Sequence, residues 1–319
     1  MNSKISRRTA IALLGAGAAA LAMKPAMGAD PTLLRTGLIP IAPLAPYYAA
    51  DKRGFFAAEG IAVTTQPVQT GAVGLPALMS GSFDILYTNT VSVLTALERG
   101  LDVRILMETT RVPAAPPENS SLFRRRDAAI ARGRDLEGKA VAINSRYTIS
   151  ELILDRWVKR DGGDVSKMNF REIPVQSMLD ALKSGQADVA FMQDPFIRAA
   201  LKDEAVEEFA YPTTSVIPGL STAVWVVGGK WADANADVTQ AFRRAYLKGG
   251  EWVNANMGKP EYFELVSSFT KLDPKLIADL PRVPQQMDTD PAAINGIGDL
   301  MLEFGQLKSK IDVSQYVFK

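Results

Sequence analysis

Ala77-Leu78-Met79-Ser80-Gly81-Ser82-Phe83-Asp84-Ile85 and Ala181-Leu182-Lys183-Ser184-Gly185-Gln186-Ala187-Asp188-Val189-Ala190 carry the reading of the fold. Each runs from a helical segment through Ser-Gly, a helix stop, to an Asp that opens an apolar strand. Around the first stretch the apolar pattern predicts strands at Leu33 to Ile39, Ile61 to Gln66, Phe83 to Tyr87 and Val103 to Met107. Between them it predicts helices at Tyr47 to Ala58, Gly71 to Met79 and Val91 to Glu98, the last capped by Asn89 or Thr90. That βαβαβαβ order belongs to an open α/β sheet with crossover helices.

The second stretch sits in a similar unit. Ser121 to Arg125 reads as a strand and Asp127 to Arg134 as a short helix. Strands follow at Ala140 to Ile143, Asn169 to Pro174 and Val189 to Met192. Thr148-Ile149-Ser150-Glu151 has the form of a capping box, with hydroxyl and carboxylate each expected to hold a backbone N–H. Asp194-Pro195 places an N-cap before a first-turn proline. Arg111 to Ser120, with three prolines, and Thr213 to Ser221 break the pattern and read as connections. Thr222 to Val227 is a further strand, and Val238, Phe242, Ala245, Gly249 and Trp252 form the core-facing stripe of a long helix. The expected fold is therefore α/β with two domains joined by two crossover segments and a ligand cleft between them. One lobe comprises 29–112 plus 222–319 and the other 113–221. The crossings are where a hinge would close the cleft.

Residues 1–28 read as an export signal. Lys4, Arg7 and Arg8 precede an apolar run from Ala10 to Met23, and Ala26-Met27-Gly28 supplies small residues for cleavage. The run is about 14 residues, short of the roughly 20 that span a bilayer. Ser6-Arg7-Arg8-Thr9-Ala10-Ile11 is twin-arginine-like. The expected location is the periplasm.

The chain has 36 basic and 35 acidic residues; removing Lys4, Arg7, Arg8 and Lys24 leaves 32 basic against 35 acidic, a net charge of −3. That balance argues against nucleic acid as a partner. Cysteine is absent, which excludes disulfides and a lipoprotein attachment site. Histidine is absent too, which excludes Ser-His-Asp triads, Cys-His dyads and the common zinc sites. Carboxylate-only catalysis stays open on this count.

Two ordered sets of residues resemble the nitrate/sulfonate/taurine branch of ABC-transporter periplasmic binding proteins, a group that includes pyrimidine-precursor binders. The first is Ala45-Pro46-Tyr47-Tyr48-Ala49-Ala50, Gly54-Phe55-Phe56 and Glu59-Gly60-Ile61 with residues 77–85. The second is Asp135-Leu136-Glu137-Gly138-Lys139-Ala140-Val141-Ala142 with residues 181–190 and Asp194-Pro195. The resemblance implies a two-lobe, type II-like binding protein. Such a protein is a monomer without cofactor or metal, captures a small molecule and passes it to a membrane permease and its ATPase.

Ligands of open α/β sheets bind outside the carboxyl ends of the strands. Helix N-termini there favour anions. The candidate contacts are Pro43, Leu44 and Tyr47; Thr70, Gly71 and Ala72; Tyr87, Thr88, Asn89 and Thr90; Ser145, Arg146, Tyr147 and Thr148; and Gln193 with Asp194. Arg146 can bind a carboxylate or sulfonate bidentately. Tyr47, Tyr48, Tyr87 and Tyr147, at or next to these junctions, point to an organic ligand, so the expectation is a small organic anion. Two alternatives stand beside transport. One is an enzyme like the pyrimidine-synthesising proteins of the same fold, disfavoured because their chemistry uses histidine. The other is a sensor subunit presenting its ligand to a membrane receptor.

Overall fold

The computed structural model describes residues 30–68, 71–116, 118–194, 196–280 and 282–319. The signal-like residues 1–28 and Thr70 lie outside them. Among the described residues ten strands build two five-stranded mixed sheets. They are β1 (Thr32–Leu38), β2 (Ile61–Pro67), β3 (Ile85–Asn89), β4 (Val103–Arg111), β5 (Ser120–Arg125), β6 (Ala140–Ile143), β7 (Asn169–Glu172), β8 (Val189–Gln193), β9 (Val206–Ala210) and β10 (Ser221–Gly228).

The first sheet has the order β2-β1-β3-β10-β4 and the second β7-β6-β8-β5-β9. In the first, β1 runs parallel to β2 and β3, while β10 lies antiparallel between β3 and β4. In the second, β6 runs parallel to β7 and β8, while β5 lies antiparallel between β8 and β9. Each sheet thus receives one antiparallel strand, inserted before the last strand of an otherwise parallel set. The chain passes between the sheets twice, after β4 and after β9. These connections are tied to each other: Val112 N–H donates to the Leu220 carbonyl and Gly219 N–H to the Val112 carbonyl, both at 2.9 Å.

The inserted strand β10 is held by its side chains. Trp225 is fully buried within an aromatic cluster, 5.5 Å from Tyr47, 5.4 Å from Phe242 and 6.1 Å from Tyr246 between ring centroids. Pairs of this kind contribute about 0.5–1.5 kcal/mol beyond the area they bury. Phe242 and Tyr246 come from the long helix Ala236–Asn256, whose Phe242, Ala245 and Gly249 face the core as expected. Gly249 lets this helix approach the helix Ala45–Lys52 closely: a Cβ there would lie 2.1 Å from the Pro46 carbonyl oxygen. No helix among the described residues is long and apolar enough to cross a membrane.

Four local expectations change. The helix expected over Tyr47 to Ala58 is two, Ala45–Lys52 and Phe55–Ala58, parted at Gly54, which takes φ 74°. Asp127 to Arg134 forms no α-helix; a single 3₁₀ turn stands at Gly133–Leu136. The Asp135 carboxylate accepts the Ala131 and Arg132 N–H groups (2.9 and 3.2 Å), folding the chain back before a helix can propagate. The segment Thr213 to Ser221 contains the short helix Pro212–Val216, because the Glu118 carboxylate accepts the Thr214 N–H at 2.5 Å. Thr148 and Glu151 do not form a capping box. The Thr148 hydroxyl donates to the Ser145 carbonyl at 2.9 Å, and Glu151 reaches one residue further back, to the Tyr147 N–H. That bond holds Tyr147 in the left-handed region at φ 56°.

Candidate ligand-binding site

The carboxyl ends of the parallel strands in both sheets border one cavity of about 170 Å³. From the first sheet, Ile39, Ile41 and Pro43 follow β1, Tyr87, Thr88 and Asn89 close β3, and Thr110 and Arg111 close β4. Thr222 and Ala223 contribute from the start of β10, whose reversed direction puts its first residues at the same edge. From the second sheet come Asn144 after β6, Thr148, Ile149, Ser150 and Ile153 around the start of the helix Ile149–Arg160, and Phe191, Gln193 and Asp194 from β8. The crossings add Val112, Pro113, Glu118, Asn119 and Thr213, with Ser120 at the start of β5. A second cavity of about 30 Å³ shares Pro43, Thr110, Arg111, Asn119 and Asp194 and extends toward Tyr262 and Gln285.

The lining combines apolar walls with amides and hydroxyls: Asn89, Asn119, Asn144 and Gln193 among Thr, Ser, Ile, Val and Phe. The Asn89 side chain is partly committed, since its carbonyl oxygen accepts the Ser92 N–H at 2.9 Å and caps the helix Thr90–Glu98. Tyr87 packs edge-on against Trp225 at 5.7 Å, and burial pushes its phenol up to about 12. It is therefore a neutral wall at physiological pH.

Three charged residues are among the described lining, and each has a distinct state. Arg111 is held bidentately by the buried Glu108, at 3.0 and 2.6 Å, which raises its guanidinium further. Asp194 is held by Arg198 at 2.9 and 3.3 Å, yet burial still pushes its carboxyl up to about 6. Among the described residues no cation pairs with Glu118. Its Oε2 accepts the Thr214 N–H, and its Oε1 is buried with no hydrogen-bond partner. Burial pushes this carboxyl up to about 7, against the pull of the Thr213 and Thr214 N–H groups and the Thr214 hydroxyl. Among the described residues no group of three or more Asp or Glu side chains is arranged to hold a metal ion.

The structure brings seven of the sequence-predicted contacts to the cavity: Pro43, Tyr87, Thr88, Asn89, Thr148, Gln193 and Asp194. Others lie elsewhere. Leu44 and Tyr47 are fully buried in the core of the first sheet, where the Tyr47 hydroxyl bonds Thr36 at 2.6 Å and Thr65 at 2.8 Å. Thr90 is buried at the start of its helix. Ser145, Arg146 and Tyr147 form a loop beside the cavity rather than its wall. Ser145 Oγ and Arg146 N–H donate to Glu172, Arg146 Nη2 donates to Glu151 at 2.7 Å, and Tyr147 is 71% exposed. Gly71 and Ala72 open the helix Gly71–Met79. Sequence reasoning missed Glu118 and Asn119, which sit in a segment read only as a connection. It also missed Asn144, although its place directly after β6 satisfies the strand-end rule.

Comparison with known proteins agrees with this architecture. The family described as NMT1/THI5 like matches residues 42–259. The chain is 33% identical over 242 residues to the riboflavin-binding protein RibY of Chloroflexus aurantiacus, covering 73% of this chain and 66% of that protein. It is 24% identical to the formylaminopyrimidine-binding protein of Halalkalibacterium halodurans, covering 66% of this chain and 62% of that one. The match thus spans just under two thirds of the length of these curated relatives, both named as binding proteins. Among solved structures, the periplasmic aliphatic sulphonate binding protein SsuA of Escherichia coli superposes with a TM-score of 0.73 at 18% identity, over 90% of this chain and 98% of that one. The periplasmic nitrate-binding protein NrtA of Synechocystis PCC 6803 does so with a TM-score of 0.73 at 15% identity, over 90% and 85%. The two-lobe fold is that of the periplasmic binding proteins, and the chain belongs to the NMT1/THI5-like family.

Proposed function

We propose that this protein is the solute-capturing component of an ABC importer, not an enzyme, and that its ligand is a small uncharged heterocycle carrying N–H groups. The observation that carries this reading is the cavity itself, which is walled by amides, hydroxyls and apolar side chains. The one cation among its described lining residues is already paired by a buried carboxylate. A cavity of about 150 Å³ holds benzene, so about 170 Å³ suits a substituted ring. Apolar walls with a few placed polar groups are the usual make-up of small-molecule sites. The riboflavin-binding and formylaminopyrimidine-binding relatives take ligands of this chemistry, which supports the same class here. Closure about the two crossings would trap the ligand, and the signal-like residues 1–28 would send the protein to the periplasm, where a permease and ATPase would receive its cargo.

The test is mass spectrometry of whatever small molecule leaves the denatured protein, with thermal unfolding across riboflavin, aminopyrimidines, alkanesulfonates, carboxylates and nitrate. A ligand at one hundred times its Kd stabilises by about 2.7 kcal/mol. Stabilisation by the heterocycles supports the proposal. Stabilisation by sulfonates or carboxylates alone supports the organic anion expected from the sequence and refutes the uncharged ligand. No shift from any compound, with nothing co-purifying, refutes capture itself.

A further inference from the structure

Glu118 occupies an unusual position. It lies in the first crossing, it lines the cavity, and it is only 4% exposed. Its two oxygens have different fates. Oε2 accepts the N–H of Thr214, in the short helix of the second crossing, at 2.5 Å. Oε1 is buried and has no partner. A buried acceptor left unpaired is costly, and an ionised one more so. The neighbouring charges among the described residues do not relieve it. Arg198 is taken by Asp194 and Arg111 by Glu108, while Glu208 adds a further negative charge nearby. In the ionised carboxyl the missing partner of Oε1 is a hydrogen-bond donor, and it must come from the cavity side.

We propose that Glu118 is the specificity-determining residue of this site, its Oε1 accepting an N–H of the bound ligand while its Oε2 keeps hold of the second crossing. The proposal rests on the capture of an N–H-bearing heterocycle argued above. It adds which atom reads that N–H and gives the ligand a direct hold on both connections between the sheets. Other contacts of the same seam are already made without a ligand: the Asp194 N–H donates to the Asn119 carbonyl at 2.8 Å, and the Ser120 and Thr213 hydroxyls meet at 2.6 Å. Glu118 alone among these has an atom left over.

The arrangement makes Glu118→Gln informative. The Thr214 N–H requires an acceptor at the Oε2 position, so the amide oxygen must turn there. That places the amide NH₂ at the Oε1 position, where a donor would face the ligand's donor. The experiment measures binding of riboflavin and 4-amino-2-methylpyrimidine, each beside a counterpart with the N–H methylated, by calorimetric titration of wild type and Glu118→Gln. The expected result is that wild type binds at least one N–H probe and its methylated counterpart at least tenfold more weakly. Glu118→Gln should lose at least tenfold on the N–H probe, and its preference over the methylated one should collapse. Should Glu118→Gln not fold, Glu118→Asp, which withdraws the carboxylate by one methylene, is expected to erode the same preference. An unchanged preference in a folded variant overturns the role of Glu118 and leaves heterocycle capture standing. Failure of every heterocycle to bind wild type overturns both.

Discussion

Truncating Arg146 to alanine separates a structural role from a binding role. In the structure Arg146 Nη2 donates to Glu151 Oε1 at 2.7 Å, and the guanidinium lies 4.9 Å from the centre of the Phe170 ring. The Glu151 side chain is 6% exposed and that of Arg146 is 39% exposed. After truncation the Glu151 carboxylate keeps one donor, the Tyr147 N–H. A hydrogen bond to a charged group contributes about 1.5–3 kcal/mol. Solvent screening of the partly open guanidinium places this one near the lower end. A loss of about 1.5–2 kcal/mol follows, or a fall in Tm of roughly 3–8 °C at about 2–4 °C per kcal/mol. Ligand affinity should stay within about threefold of wild type, because the guanidinium is turned to Glu151 beside the cavity and is not part of its wall. Scanning calorimetry gives the first quantity and titration with the co-purified ligand gives the second. An unchanged Tm with affinity down tenfold or more would refute the reasoning and return Arg146 to the ligand.

The remaining expectations concern acid–base balance, packing and export. Burial holds Glu118 and Asp155 up to about 7 and Asp194 up to about 6, above the values near 4 of an unfolded carboxyl. The folded state then binds more protons, so the stability of the ligand-free protein should fall as pH rises from about 4.5 to 8, with a shallower fall in Asp155→Asn; a Tm that climbs across this range contradicts the assignment. Gly249→Ala places a Cβ against the Pro46 carbonyl oxygen, and overpacking of about 1–3 kcal/mol should outweigh the gain in helix propensity of at most about 1 kcal/mol, seen as a lowered urea midpoint. Replacing Arg7 and Arg8 together by lysine should leave uncleaved precursor in the cytoplasm of an expressing cell; unaffected export would point to the general route.

The alternation of strands and helices was legible because each element leaves its mark within a few residues: the stops at Ser80-Gly81 and Ser184-Gly185, the cap at Asn89, the stripe through Phe242 and Gly249. The insertion of β10 between β3 and β4 was not. Val224 pairs with Thr88 and Glu108, more than a hundred residues away, and nothing local in Thr222 to Val227 records those neighbours. The same divide runs through the site. The strand-end rule reached Tyr87 to Asn89 and Gln193 to Asp194, whose places follow from their own strands. Arg146 was drawn away by Glu151 and Phe170, and Tyr47 was drawn inward by Thr36 and Thr65. Those competitors act through space, and strand ends alone do not reveal them.

The pairing of Arg111 is the step at which ligand chemistry parts from fold. Similarity to sulphonate- and nitrate-binding structures establishes two facing sheets and says nothing of which groups stand free between them. Glu108 takes the Nε and Nη2 edge of Arg111 and neutralises its charge, so an anion arriving here would meet only the Nη1 edge of a guanidinium already paired to a carboxylate. That carboxylate is 1% exposed, and its remaining donor from a neighbouring segment is the Asp290 N–H at 3.2 Å. Drawing the guanidinium away from it altogether would strand a buried carboxylate, at a cost of about 3–5 kcal/mol. A neutral N–H ligand needs no such cation. It displaces no ion pair, and it finds in Glu118 a buried oxygen whose hydrogen bond is still to be made. On the proposed reading, one paired cation and one unpaired carboxyl oxygen among the described lining residues turn the cavity from anions toward N–H ligands.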